Sequence, residues 1–224
     1  MALYDSSDLL ARCQRWLNRP ASDLGMTDAH WYAFLTEAQS KWYNIIATRA
    51  PHVLYGAPEL LTTADSGATY NFASSPFPGG AIEVRESRAG ALLTVGAEFD
   101  DSVDFTFEGD KLRVPGGRRR TFSSGPYARY IAAPTVVAAA TEPTLKPAAA
   151  RMLMVYDACT RAAIRLGTHD PQQFREMEKI AAWGDPEVDG DVGLIGALRS
   201  QMFGGGQGAD HWWLGLSATG YSTI

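Results

Sequence analysis

Four histidines, His30, His52, His169 and His211, are the first residues to test for chemistry, because imidazole is the commonest metal ligand and general base. They lie in unrelated contexts. None has the H-E-x-x-H spacing that sets two imidazoles on one helix face, and His169 beside Asp170 reads as part of a helix end. Asp100, Asp101 and Asp104 form a group of acids, and paired carboxylates can cleave a glycosidic bond. Nothing in the sequence orders them around a substrate, so solvated loop and strand-face carboxylates are the plainer reading. The nucleophile elbow G-x-S-x-G is absent, since the nearest run is Gly215-Leu216-Ser217-Ala218-Thr219. Ser123-Ser124-Gly125-Pro126 has the composition of a turn. The cluster Gly204-Gly205-Gly206-Gln207-Gly208 follows a helical pattern instead of opening one after a strand, which excludes an ordinary phosphate loop. Asp185, Glu187, Asp189 and Gly190 mimic positions 1, 3, 5 and 6 of a calcium loop, but Gly196 holds the twelfth place and Pro186 the second. Capping and solvation account for those acids. No catalytic, cofactor or metal site is therefore expected, and the chain reads as a protein other than an enzyme.

Two stretches suggest binding instead. After Gly204-Gly205-Gly206 the chain reads QGADHWWLGLSATGYSTI, aromatic and almost uncharged. Trp212, Trp213, Leu214, Leu216 and Tyr221 are costly to leave in water and too few to make a core. Burying the two indoles and two leucines yields roughly 8–12 kcal/mol, against roughly 20–40 kcal/mol for ordering about twenty backbones. An ordered arm then also needs backbone partners on another chain. The other stretch, Arg118-Arg119-Arg120, follows Pro115-Gly116-Gly117 and reads as a hairpin tip, open to DNA phosphates or to a neighbouring subunit.

Composition bounds the function classes. With 46 % hydrophobic and 20 % charged residues, the 224-residue chain has the make-up of a folded domain and not of a disordered one. Its net charge of −5 gives no global drive toward nucleic acid or an anionic membrane, so either a DNA contact is local and non-specific or the chain lines a passage to which DNA must not stick. Cys13 and Cys159 fall on apolar helical faces and read as buried free thiols. The acidic start MALYDSSDLL does not resemble a signal peptide, and no run of about eighteen apolar residues marks a membrane span.

These residues have to be carried by helices at both ends of the chain and strands between them. Asp5 or Ser6 can cap a first helix through Leu9, Leu10, Cys13, Trp16 and Leu17. Thr27 caps a longer one whose stripe is Trp31, Phe34, Leu35, Ala38, Trp42, Ile45 and Ile46, stopped by Pro51. Short alternating runs follow at 60–63, 69–73, 81–85, 91–95, 103–108, 111–114 and 128–132, separated by Gly and Pro turns. Phe105 and Phe107 fall on one strand face, with Asp104, Thr106 and Glu108 on the other. Helical periodicity returns between Pro143 and Arg165, with Leu145, Ala148, Met152, Val155, Tyr156, Cys159, Ala163 and Leu166 as the buried stripe. Asp170-Pro171 opens a helix with Phe174, Met177 and Ala181 inside, and Asp185-Pro186 opens another through Leu194, Ile195, Leu198 and Met202. The fold class is α+β: a helical bundle from 1–50 and 143–203, an inserted small antiparallel β module at 51–142, and an extended C-terminal arm at 204–224.

The segments SSDLLARCQRWLNRP, TDAHWYAFLTEAQSKWYNIIATRAP, FEGDKLRVPGG, SGPYARYIAAP and ATEPTLKPAAARMLMVYDACTRA resemble the head-to-tail adaptor (connector) proteins of tailed bacteriophages, over about residues 6–170. That resemblance implies a structural virion protein at the head-tail junction, assembled in the host cytoplasm. Its subunits would form a ring, usually a dodecamer, docked on the portal protein, extending the DNA channel and offering a face to a tail or nozzle protein. It implies no active site and no cofactor, and makes the arm from Gly205 the portal-binding element. A β module this large departs from the smaller, mainly helical members. In a ring, Trp31, Trp42 and Tyr43 are candidates for burial between subunits, with ordinary core as the alternative. Other readings stay open: a head-completion or tail-end stopper, a carbohydrate or peptidoglycan hydrolase using Asp100, Asp101 or Asp104, or a sugar-binding β module.

Overall fold

The carboxylate of Asp5 accepts the backbone N–H of Asp8 at 2.8 Å, and this cap starts α1 (Ser6–Trp16). At the start of α2 (Asp28–Arg49) the reciprocal half of a capping box is supplied by a histidine: Nδ1 of His30 lies 3.2 Å from the Thr27 backbone N–H. Pro51 then turns the chain through a short 3-10 segment, Pro51–Val53. The computed structural model describes residues 5–18, 25–65, 68–80, 82–96, 102–108, 110–115, 122, 125–145, 148–167 and 169–203. The arm residues Trp212, Trp213, Leu214, Leu216 and Tyr221 lie outside the described residues, as do Arg118, Arg119 and Arg120.

Contacts divide the chain into two units. One comprises the described residues of 1–55, 77–80 and 131–202, the other those of 56–76 and 81–130 together with Phe203. The β insertion thus begins at 56 and ends at 130, not at 51 and 142. Residues 131–145 run as a strap along α2 within the helical unit, because α2 offers them hydrogen bonds. Tyr43 OH donates to the Ala132 carbonyl at 2.5 Å and Gln39 Nε2 to the Thr135 carbonyl at 2.6 Å. Thr36 Oγ1 accepts from Val137 N–H at 3.0 Å.

In the helical unit α3 (Ala148–Leu166) packs against α1, α2 and α4 (Pro171–Trp183). Covered on most sides, α3 is not the one-striped helix expected from its sequence: Ala150, Leu153, Met154, Val155, Ala158, Cys159, Ala162 and Ala163 are all buried. Asp170 caps α4 by accepting Gln172 N–H at 2.9 Å, and Gly184 ends it at φ 93°. Asp185-Pro186 opens no helix. The loop folds on Asp191 instead, whose carboxylate accepts the N–H groups of Asp185 at 2.8 Å and Gly193 at 3.0 Å, so that α5 is Gly193–Phe203. Cys13 and Cys159 are buried free thiols, and a hydrogen bond with Cys159, together with burial, pushes the Cys13 thiol up.

The β unit has two sheets. One has the order β1 (Glu59–Leu60), β9 (Tyr127–Tyr130), β4 (Ile82–Arg85), β5 (Leu92–Leu93). The other runs β2 (Thr62–Thr63), β3 (Thr69–Asn71), β8 (Lys111–Arg113), β7 (Phe105–Glu108), β6 (Val95–Gly96). All pairs are antiparallel except β6 with β7. The runs expected as single strands at 60–63 and 91–95 each split, because the chain changes sheet at Leu61 and again at Thr94. Rings fill the interior. Tyr70 meets Phe105 edge-on at 5.6 Å, and Phe72 reaches both Phe107 at 6.2 Å and Tyr130 at 4.7 Å. Thr106, expected on the open face of β7, is buried as well, its hydroxyl 3.4 Å from the Arg113 carbonyl.

Candidate functional site

The densest polar cluster lies where α2, α3 and α4 meet. Lys41 sends its ammonium to Asp157 Oδ1 and Glu178 Oε1, both at 2.7 Å. Trp42 Nε1 donates to the same Glu178 oxygen at 2.8 Å. Arg161 donates to Asp157 Oδ2 and, on its other side, to Glu37 Oε2, each at 2.5 Å. Both Asp157 and Glu178 are buried, whereas Lys41 is part-exposed. Burial raises the Glu178 carboxyl above its ordinary value, with Lys41 opposing. For Lys41 burial acts to lower the pKa but is outweighed by the two carboxylates, which hold it raised. A nucleophilic lysine needs the reverse shift. These contacts join one helix to another or to its own turn, so the chemistry of the cluster is that of a tie between three helices.

Beside it, α2 and α4 leave an open groove. Asn44, Ile45, Thr48 and Arg49 form one wall and the half-exposed indole of Trp183 the other, around about 330 Å³. Trp183 also ends an exposed apolar row, Met177, Ile180, Trp183, whose three-residue spacing lays it along one side of α4. The opposite side, Phe174, Glu178 and Ala182, is the buried one. Met177, expected inside, is therefore outside. Glu178, a charge that apolar periodicity passes over, takes the interior place because Lys41 and Trp42 satisfy it.

The residues singled out from sequence are not brought together. Trp31, Trp42 and Tyr43 are 0–2 % exposed inside the helical unit, which withdraws them as candidates for a subunit interface. His30 serves the α2 cap and lies 3.2 Å from Arg165 through Nε2. His52 has its pKa lowered by burial, and His169 stands before the cap of α4. Asp104 accepts both the N–H and the hydroxyl of Thr94, at 2.8 and 3.0 Å, while Asp100 and Asp101 lie outside the described residues. Among the described residues no group of three or more His, Cys, Asp or Glu is placed to hold a metal ion. No described helix is long and apolar enough to cross a membrane.

No protein-family model matches the chain, and no curated protein matches its sequence.

Sequence reasoning missed Glu178, Lys41, Asp157 and Trp183. For Trp183 a signal existed: α4 carries apolar residues on two faces, Phe174 with Ala182 and Met177 with Ile180 and Trp183, more than one buried stripe needs. For the ion cluster there was none, since its members are 116 and 137 residues apart.

Proposed function

We propose that the chain is a structural ring component, a head-to-tail adaptor that docks on a portal ring, continues its DNA channel and presents an attachment face to a tail component. The observation that carries this reading is the outward row Met177, Ile180 and Trp183 on α4, continued in sequence by the exposed Val188 and Val192. Five large apolar side chains in sixteen residues, on the outside of a unit whose own core is complete, call for a partner surface. A head-to-tail contact repeated around a closed ring covers such a row on every copy. The resemblance of residues 6–170 to adaptors supports the same assignment, and so does the engagement of Asp157 and Glu178 in the helix tie and of His30 in the α2 cap. In this setting the almost uncharged arm with Trp212 and Trp213 is the portal-binding element, and Arg118, Arg119 and Arg120 face DNA or the next subunit.

The test is assembly. The purified chain, alone and mixed with its cognate portal ring, is sized by light scattering and imaged by electron microscopy. Rings, or portal-bound copies with rotational symmetry, are expected. Ile180→Asp is expected to abolish ring closure, and a chain ending at Gly204 to lose the portal while keeping its circular dichroism. A chain that stays monomeric in both settings sinks the proposal.

A further inference from the structure

The chain has two cysteines, far apart in sequence, and the helical unit brings them together. Cys13 lies on α1 between Leu9 and Leu17, Cys159 lies on α3 beside Ala158, Ala162 and Ala163, and both are 0 % exposed. The small side chains around Cys159 let α1 approach α3 closely, and a hydrogen bond joins the two thiols. From hydrogen-bonding distance a disulfide needs only a short further approach of the sulfurs.

While α1 is seated the pair is inert. Both thiols are out of reach of solvent, and burial with the shared bond holds the Cys13 thiol up, which suppresses the thiolate that attacks disulfides. Reaction therefore has to follow a lifting of α1. Of the helices packed on α3 it is the one best suited to lift, with eleven residues against twenty-two in α2 and thirteen in α4. At one end Ser6 N–H donates to the Thr141 carbonyl, and the Ser6 hydroxyl accepts Thr141 N–H, both at 3.2 Å. At the other, the Trp16 ring lies 5.2 Å from Tyr156 and 6.5 Å from Phe174.

We propose that Cys13 and Cys159 are a reactive pair that a small-molecule disulfide of the glutathione class oxidises when α1 lifts, leaving a disulfide that staples α1 to α3. In the first step the exposed Cys13 loses its proton and attacks the oxidant, forming a mixed disulfide and releasing one glutathione thiolate. In the second, the Cys159 thiolate attacks the Cys13 sulfur, forming the internal bond and releasing the other glutathione. Each cysteine gives up one proton and one electron, and the oxidant is reduced to two thiols. Excess glutathione thiol reverses both steps, so the staple follows the redox poise of the surroundings. The staple does not depend on the adaptor reading, under which subunits assembled in a reducing cytoplasm would close it once the particle meets an oxidising medium.

The full chain is equilibrated with oxidised and reduced glutathione, folded or in concentrated urea, then acid-quenched and weighed by intact-mass spectrometry. With two cysteines in the chain, a monomer lighter by two hydrogens carries the Cys13–Cys159 disulfide. The equilibrium constant for closing it is expected to be about a hundredfold larger in the folded chain than in the unfolded one, the same factor by which the staple stabilises the fold. A folded constant no larger than the unfolded one overturns the proposal, as does a disulfide-linked dimer or a stable adduct of two glutathiones as the product. The rate tests the route. Asp5→Ala, which removes the cap of α1, should speed closure about fivefold. Lys41→Met, which weakens the tie of α2 to α3 and α4, should leave the rate unchanged. Acceleration by both would mean that closure waits for unfolding of the whole unit, and overturns the lifting of α1 as its trigger.

Discussion

In the helical unit, the bonds that fix one element against another come from side chains: Lys41 joins α2 to α3 and α4, Arg161 joins α3 to α2, and Tyr43, Gln39 and Thr36 hold the strap. In the β unit the backbone does that work. Strand registers such as Val84 with Ala128 and Tyr70 with Leu112 align the elements, and rings fill the space between. The reason is the different disposal of backbone hydrogen bonds. A helix satisfies its N–H and C=O groups within itself, which leaves neighbouring helices free to slide unless side chains pin them. A strand must pair with another chain segment, and that pairing already specifies position. Charged groups thus enter the interior where backbone specificity is absent. The β unit carries side-chain ties as well, and one of its buried phenols makes two: Tyr130 OH donates to Glu59 at 2.7 Å and accepts Ser74 N–H at 3.1 Å.

The sharpest test of this contrast removes a ring from the β unit. Phe105 is fully buried, and its strands are four residues or fewer, so little backbone pairing remains to compensate. Phe105→Ala should cost about 3–5 kcal/mol. Urea unfolding should then show an early transition in the aromatic near-ultraviolet signal, while the helical signal at 222 nm persists. Simultaneous loss of both signals would mean that the two units do not hold their structure by separate means.

Breaking the helical counterpart comes next in size. Lys41→Met leaves Asp157 and Glu178 buried without their shared cation. Such a loss costs about 3–5 kcal/mol for a fully buried pair, and the 38 % exposure of the Lys41 side chain lowers the expectation to about 2 kcal/mol. The deficit should shrink as the medium is acidified, because Glu178 already has a raised pKa and takes up a proton readily once the ammonium is gone. A pH-independent deficit would place the cost in lost packing of the lysine stem.

The same contrast decides what was legible in the sequence. Caps and breakers act locally, so Asp5, Thr27, Asp170, Pro51 and Gly184 mark the ends of α1, α2 and α4 from neighbouring residues alone. Turn chemistry placed the strands almost as well. Sheet membership was not legible at Leu61 or Thr94, because a change of sheet inside an extended run leaves the alternation intact. The alternation places 131–142 in the β module and only 143–145 with the helices, since the strap's dependence on Thr36, Gln39 and Tyr43 spans 89 to 101 residues. Met177 and Glu178 were exchanged for the same reason: apolar periodicity ranks methionine inside, and only distant Lys41 and Trp42 reverse the order. Of the groove, Ile45 was read as a stripe residue and Trp183 not at all, because a groove belongs to two helices and not to either sequence.

A smaller pair of variants compares the buried phenols. Tyr43 in the helical unit and Tyr130 in the β unit each donate to an acceptor far along the chain, and burial pushes both up to about 12. Tyr43→Phe leaves the Ala132 carbonyl without its phenol donor, and Tyr130→Phe leaves Ser74 N–H without its phenol acceptor. Each should cost about 1–2 kcal/mol by chemical denaturation. In wild type both contributions are present below the ordinary tyrosine value and are lost as pH rises through about 12. If only Tyr43→Phe is destabilising, backbone pairing in the β unit is sufficient without the Tyr130 phenol.

The smallest effect is expected at Glu178→Gln, and it separates charge from hydrogen bonding within the helical tie. The amide oxygen keeps the acceptor position for Lys41 Nζ and Trp42 Nε1, and Asp157 still neutralises the ammonium. Because burial holds the folded carboxyl above its ordinary value, the folded state binds the proton more tightly than the unfolded one. Glu178 therefore stabilises most below the ordinary carboxylate range, and that contribution is lost as pH rises through the raised value. At neutral pH the glutamine variant should lie within about 1 kcal/mol of wild type, on either side. As the pH falls, wild type should gain relative to the variant, measured as the difference in urea midpoint at constant slope. A wild-type advantage that instead grows toward high pH would mean that attraction to Lys41 outweighs burial, and that the charge itself, beyond its hydrogen bonds, holds α4 to α2.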